Sequence, residues 1–596
     1  MVVEYIRVMN LFSRTEEEKR EHALAKSKKA SGGLGDLSGL SLPFKAPEKN
    51  ELNRDKIIQR LDLHRKLPVR LLEETNIVLQ KINRVKLTAK QRNEYAELLA
   101  SYVYPVVLLW YEQYQKQENS LPESSERKNA LIASIESIHQ LGMAYKLLFR
   151  EYYSEDNKQF KKNKKLCCQY GARSLELIRL EQRLRALRYQ KLPKVSWQHC
   201  NQIFFSLVHH NAVDENYGLI GLIGIRKSSD SLRKGGVPTS TVRRLYISTQ
   251  LFGLLDVTTW PTRMFHIPDG YLDYLTGEGI KILADDGQQL KPGFLLTHYK
   301  NESPPLFKRS DNLPTPIIRF DYTTLYNALV KDHKEIGKQQ FLGEFNDSKV
   351  SRPLTEIHSV DRVPVIELMI MGLTQRERRQ KRHASFDTSS LSVYFGFHEV
   401  NRLLKDIIDP DQARVRDSRQ FIDTLAMSSA LLAEEQKTHM AASWTISNFS
   451  TGGLLVSTEE TDFSNPIQID MLMAFTMPDN KDHPILGFVR RLNRPDSKHI
   501  EVAIVRLSNY AETAGVQDQD EINSATAKAV ILIKNVRGEW NLIIKTSMPY
   551  VTGQPLKLIR ANGAPLPVRL GEIIYTKKDF KIFDLRSPGL EVVGKN

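Results

Sequence analysis

A chain of 596 residues with 41% hydrophobic and 26% charged residues has the balance of soluble globular protein and is too long for one core, so roughly three to five domains are expected. The excess of 85 Lys+Arg over 70 Asp+Glu leaves a net charge of +15, which favours an anionic partner without choosing among nucleotide, nucleic acid and acidic lipid. Three cysteines, Cys167, Cys168 and Cys200, with no C-x-x-C spacing argue against a disulfide framework or a zinc site and fit a reducing cytoplasm.

Residues 1–50 are read as a flexible tail. Their charge, Gly and Ser leave too little apolar surface to offset ordering entropy, and acidic and basic residues replace the cleavage site that a signal peptide needs. Residues 51–193 carry apolar residues at spacings of three and four, such as Tyr95, Leu98, Leu99, Tyr102 and Val103, and predict a helical domain. The lysine-rich stretch 155–165 reads as a solvated helical face. Pro193 is taken as the end of this bundle.

Residues 194–355 are expected to form a mixed α/β domain. Helices are predicted over 197–210, 242–257 and 323–335, with strand-like runs over 281–299 and 316–322. His199, His209 and His210 lack a second cluster at ligand spacing and are read as packed or surface residues, with no metal. Residues 356–387 read as a linker that carries a basic motif. Strand-like runs follow over 388–510, interrupted by a charged helical stretch at 399–436. The polar stretch 508–526 is read as a domain end, and short runs separated by turns over 527–596 predict a small C-terminal β unit. No apolar run reaches the ~18 residues of a membrane span.

Two motifs carry the chemistry. Arg376, Arg378, Arg379, Lys381 and Arg382 form a basic cluster in which Arg378 and Arg382 stand as R-x-x-x-R. Asn448, Ser450 and Gly453 stand as N-x-S-x-x-G between strand-like runs. An arginine fork matches guanine O6 and N7 or phosphate oxygens. Asn and Ser in a tight turn can complete purine contacts, and glycine permits positive φ or close backbone approach. R-x-x-x-R alone is uninformative, since chance supplies on the order of ten such pairs here. The order of the motifs and the strands around them carries the signal.

Together with the run Gly487-Phe488-Val489-Arg490 and the strand at 501–505, these motifs make residues 375–507 resemble the PilZ domain, a bacterial receptor for cyclic di-GMP. The resemblance implies an antiparallel β-barrel that binds cyclic di-GMP through Arg378, Arg382, Asn448, Ser450 and Gly453, with Arg376, Arg379 and Arg490 as auxiliary contacts. Asn448 stands where Asp is commoner in the family. The separation of 66 positions between Arg382 and Asn448 is longer than the family's usual one, and the helical insertion is invoked to absorb it.

No G-x-S-x-G, no Walker-type loop, and neither GGDEF nor EAL is present, so a receptor rather than an enzyme is expected, with no cofactor. The implied partners are cyclic di-GMP and an effector protein, with the signal passed by ordering of the linker. A nucleic-acid-binding protein and a ligand-free interaction scaffold are the alternatives.

Overall fold

The computed structural model describes residues 52–586, apart from short breaks and the stretches 117–124, 222–238, 375–382, 385–389, 410–441, 460–466 and 519–526. The chain divides into two compact units, one up to Glu377 and one from Arg378 onward.

The N-terminal unit begins with α1 (Arg54–Leu63), α2 (Pro68–Arg84), α3 (Ala89–Lys116), α4 (Ser125–Tyr152), α5 (Asn157–Leu187) and α6 (Lys194–His209). Strands β1 (Asn216–Gly218) and β2 (Thr239–Thr241) pair, and α7 (Val242–Leu254) and α8 (Ile267–Tyr274) follow. A three-stranded antiparallel sheet, ordered β3 (Lys281–Ala284), β5 (Ile317–Asp321), β4 (Phe294–His298), leads into α9 (Thr323–Leu342), α10 (Arg352–Thr355) and α11 (Ser359–Leu373). The expected bundle, the middle helices and both strand-like runs therefore exist, though α9 runs past residue 335.

Two expectations need correction. Pro193 does not divide the core: one hydrophobic cluster runs from Ile57 to Leu373. Pro193 occupies the N-cap position of α6, so it bends the chain between two helices that share that core. The stretch expected as linker from residue 356 contains α11, whose Val365, Ile366, Met369 and Leu373 are buried at helical spacing in the same cluster.

Helix α5 is the centre of this unit. Its first turns are capped by the Asp156 carboxylate, which accepts the backbone N–H of Lys158 and Gln159 at 2.8 and 3.0 Å. Lys158, Lys161 and Lys162 are exposed as expected, but from Ser174 to Leu187 nearly every residue is buried. Charged residues inside require partners. Asp269 accepts from Arg179 at 2.6 Å and from Arg183 at 3.0 Å, and Ser248 donates to its other oxygen. Burial alone would raise the Asp269 carboxyl, but Arg179, Arg183 and Arg244 hold it far below the usual carboxylate range.

The C-terminal unit holds two closed six-stranded barrels. The first is built from β7 (Ser390–Phe395), β8 (Ala442–Ser450), β9 (Gly453–Glu459), β10 (Leu472–Met477), β11 (Asn480–Asn493) and β12 (His499–Ser508). It closes in the order β8-β7-β10-β11-β12-β9, and β6 (His383–Ala384) pairs with the end of β8 beyond its pairing with β7. The second closes β13 (Tyr510–Asp518), β14 (Lys528–Lys534), β15 (Trp540–Lys545), β18 (Phe580–Arg586), β17 (Leu566–Thr576) and β16 (Pro555–Arg560).

Residues 508–526 are thus not simply a polar domain end. β13 alternates small and polar residues and buries only Thr513, Ala514 and Val516, so it lacks an apolar run, yet it bonds to both β14 and β16 and closes the second barrel. Between β7 and β10 lies α12 (Gly396–Ile408), which starts three residues before the expected insertion; Gly396, at φ +81°, turns the strand into it. Residues 410–436 of that insertion lie outside the described residues. Phe397, Val400 and Leu404 of α12 share one cluster with Leu472, Leu486 and Phe488 of the first barrel and Ile531, Ile543 and Ile582 of the second. The C-terminal β unit is therefore packed against the first barrel through α12 and is not separate from it.

Candidate functional site

The β8–β9 hairpin carries the N-x-S-x-x-G motif. Trp444 and Ile446 alternate toward the barrel interior, where Trp444 and Val456 are fully buried. Simple alternation would send Asn448 inward as well. The ladder instead shifts between Ile446 and Asn448: Ile446 pairs with Val456, and Asn448 with Leu455, so Ser447 is the extra residue of a bulge. The bulge turns Asn448 to the outer face. Leu455 pairs in turn with Ala503, on the side of β12 opposite to the buried Val502 and Ile504. The Ser447 hydroxyl lies 3.1 Å from that of Ser457, which also lies 3.1 Å from the Thr445 hydroxyl.

Ser450, two residues beyond Asn448 on the strand, pairs with Gly453, so these positions share the outer face. The Asn448 side chain makes no hydrogen bond with the described residues. Gly453 owes its place to close approach, not to positive φ: a Cβ there would collide with the carbonyl oxygen of Ile504 on β12. The Ser450 side chain lies outside the described residues, as do Arg376, Arg378, Arg379, Lys381 and Arg382.

The strand that follows those arginines is described. In β6, His383 pairs with Phe449 and Ala384 with Asn448. The long separation in sequence is closed by this pairing, because the chain leaving Arg382 enters the barrel beside the motif strand. The structure does not bring Arg490 to the same place. It lies on β11 at a second register shift, between Val489 and Arg491, and β11 is three strands from β8 in either direction round the barrel.

The histidines are packed, as expected. His199 is buried with Nδ1 3.3 Å from the Lys146 amine. His210 stacks on Phe160 at 3.8 Å between centroids, and burial, helped by the charge of His209, pushes its imidazole down to about 4. Among the described residues no group of His, Cys, Asp or Glu is arranged to hold a metal ion, and no helix is long and apolar enough to cross a membrane.

Residues 61–278 match the family model of the N-terminal domain of the cyclic-di-GMP receptor FimW. The match covers a little over a third of the chain and lies wholly within the N-terminal unit, ahead of both barrels. That family is one of receptors, which bind and signal and are not enzymes. No curated protein and no solved structure matches the chain.

Proposed function

We propose that this chain is a cyclic di-GMP receptor whose first barrel is a PilZ-like domain and reads the messenger on the outer face of the β8–β9 hairpin. Arg378 and Arg382 supply the guanidinium forks, and Asn448 and Ser450 meet the ligand from the strand. Gly453 lets β9 lie flat against β12. The observation that carries this reading is the β6–β8 pairing, His383 with Phe449 and Ala384 with Asn448, which leads the arginine segment to the motif strand. Two independent regions agree with it: the N-terminal unit is similar to a domain of a cyclic di-GMP receptor, and the barrel carries the two-part motif.

The arginine segment also joins the two units along the chain. A ligand gripping Arg378 and Arg382 therefore acts on that junction, which is how we propose the signal passes to the N-terminal unit and an effector protein. Titration calorimetry of the full chain with cyclic di-GMP tests the reading. Saturable 1:1 or 2:1 binding that Arg378→Ala and Arg382→Ala each abolish or weaken strongly is expected. Absence of binding, or binding unaffected by both substitutions, overturns it.

A further inference from the structure

Helix α1 buries Ile57 and Leu61, four residues apart on one face. Leu63 stands two residues beyond Leu61, about 200° round the helix, and so lies on the opposite face. It is 78% exposed, the highest value for a large hydrophobic side chain among the described residues. The chain then turns through His64, Arg65 and Lys66. Backbone hydrogen bonds from Arg65 to Asp62 at 3.2 Å and from Leu67 to His64 at 2.8 Å hold the turn. Leu67, 55% exposed, ends it, and Pro68 opens α2.

Leu67 occupies the N-cap position of α2 and supplies no side-chain hydrogen bond to it. Ser, Thr, Asp or Asn is preferred there, because a side-chain oxygen accepts an otherwise unmatched helix N–H. The corner therefore forgoes a cap and holds two leucines in water on either side of one turn. Single exposed apolar side chains are ordinary, but two at one helix corner form a small apolar tip. Neither choice serves the stability of the fold.

Cations complete the corner. Arg65 and Lys66 lie between the leucines, both are exposed, and neither side chain makes a hydrogen bond or ion pair with the described residues. The nearby acids are already matched. Glu74 pairs with Arg60, Glu73 with Arg70 at 3.0 Å, and Asp62 accepts from the Tyr102 hydroxyl at 2.9 Å. Apolar side chains flanking unpaired cations suit the boundary of an anionic bilayer, where leucine enters the acyl region and the cations stay among the headgroups. A protein partner would have to supply a hollow for each leucine and an acid for each cation. A fluid bilayer moulds itself round a protruding tip.

We propose that the α1–α2 corner is a contact for anionic lipid: Leu63 and Leu67 dip into the interface, and Arg65 and Lys66 lie at the headgroup phosphates. Two leucines and two cations give reversible adhesion, in which the chain lies on the membrane and does not cross it. The contact belongs to the N-terminal unit and does not depend on the reading of the barrel as a nucleotide site.

The test is sedimentation of the full chain with vesicles of phosphatidylcholine alone or mixed with phosphatidylglycerol. The unsubstituted protein should bind the mixed vesicles, bind the neutral ones far less, and lose part of its binding in high salt. Leu63→Ser combined with Leu67→Ser should weaken binding roughly ten- to a hundred-fold. Arg65→Gln combined with Lys66→Gln should weaken it roughly ten-fold. Lys161→Gln combined with Lys162→Gln, exposed on α5, should change it little. The melting temperature of the leucine variant should hold or rise, since both side chains are exposed and serine is a preferred N-cap. Absence of binding by the unsubstituted protein, equal binding to both vesicle types, full binding by the leucine variant, or an equal loss in the Lys161/Lys162 variant overturns the proposal. A leucine variant that melts lower or does not fold also overturns it, because the leucines would then be packed against protein. So does an unsubstituted dimer that the leucine variant converts to monomer, because a second copy would then cover them.

Discussion

Asn448 pairs with Leu455, whereas a ladder continued without a break from the Ile446–Val456 pair would have set it opposite Leu454 and pointed it into the barrel. One extra residue, Ser447, makes the difference. Deleting Ser447 removes the extra residue, so Asn448–Leu455 follows Ile446–Val456 in a regular ladder with Trp444 still inside and Asn448 still on the outer face. The deletion variant and Ser447→Ala should therefore both keep cyclic di-GMP binding in calorimetry. Loss of binding by the deletion, with the barrel retained by circular dichroism, would show that the local twist of the bulge, and not only the face it selects, sets the site.

Asn448→Ala should weaken binding by about 1–2 kcal/mol, and Asn448→Asp should recover much of it, since both amide and carboxylate offer an acceptor to guanine. Calorimetry of the three proteins checks the order. Aspartate binding no better than alanine would mean that the amide donor is what counts.

Cyclic di-GMP should bind more tightly than cyclic di-AMP by ~1–3 kcal/mol for each guanine read by an arginine fork, because adenine presents a donor where guanine has O6. Competition titrations read this directly. Equal affinities would show that the arginines contact phosphate alone.

Gly453→Ala should destabilise the first barrel by about 1–3 kcal/mol, because the added Cβ meets the Ile504 carbonyl on a backbone that cannot swing aside. Chemical denaturation should show the loss without ligand present. A stable Gly453→Ala protein that fails to bind would instead place Gly453 in direct contact with ligand.

In the N-terminal unit, Glu176 accepts from Tyr104 at 2.7 Å and from the backbone N–H of Ile220 and Gly221 at 2.8 Å each. Burial lifts its carboxyl; these hydrogen bonds and Arg173 pull it part of the way back, leaving it at about 7 against an ordinary 4.5. The folded protein thus holds this proton more tightly than the unfolded chain. Its contribution to stability is greatest below about pH 4.5 and declines by about 3 kcal/mol as pH rises to about 7. The unsubstituted protein should lose stability relative to Glu176→Gln over that window. Denaturation curves that shift in parallel for the two proteins would remove the assignment.

Asp269→Asn should cost about 3–5 kcal/mol, since it removes the buried carboxylate that Arg179 and Arg183 share. Loss of cooperative unfolding of the N-terminal unit is the expected readout.

Periodicity alone determined the helices of residues 51–193, the barrel strands other than β6, β7 and β13, and the hairpin around Asn448, because each writes its buried face into local spacing. The two motifs proposed to bind ligand are visible in the sequence as residue types, since arginine forks and a polar-glycine turn are chemistry carried by side chains. Three things were decided only in three dimensions. Residues 155–165 read as a solvated face, and Lys158, Lys161 and Lys162 are exposed, but farther along the same helix Arg179 and Arg183 lie in the core because Asp269, far along the chain, neutralises them. Polar β13 became a strand because β14 and β16 needed it to close a barrel. The faces of Asn448 and Arg490 depend on register shifts and on position round a closed barrel. Local spacing fixes which side of an element is apolar; long-range pairing decides where that side, and each charge upon it, comes to rest.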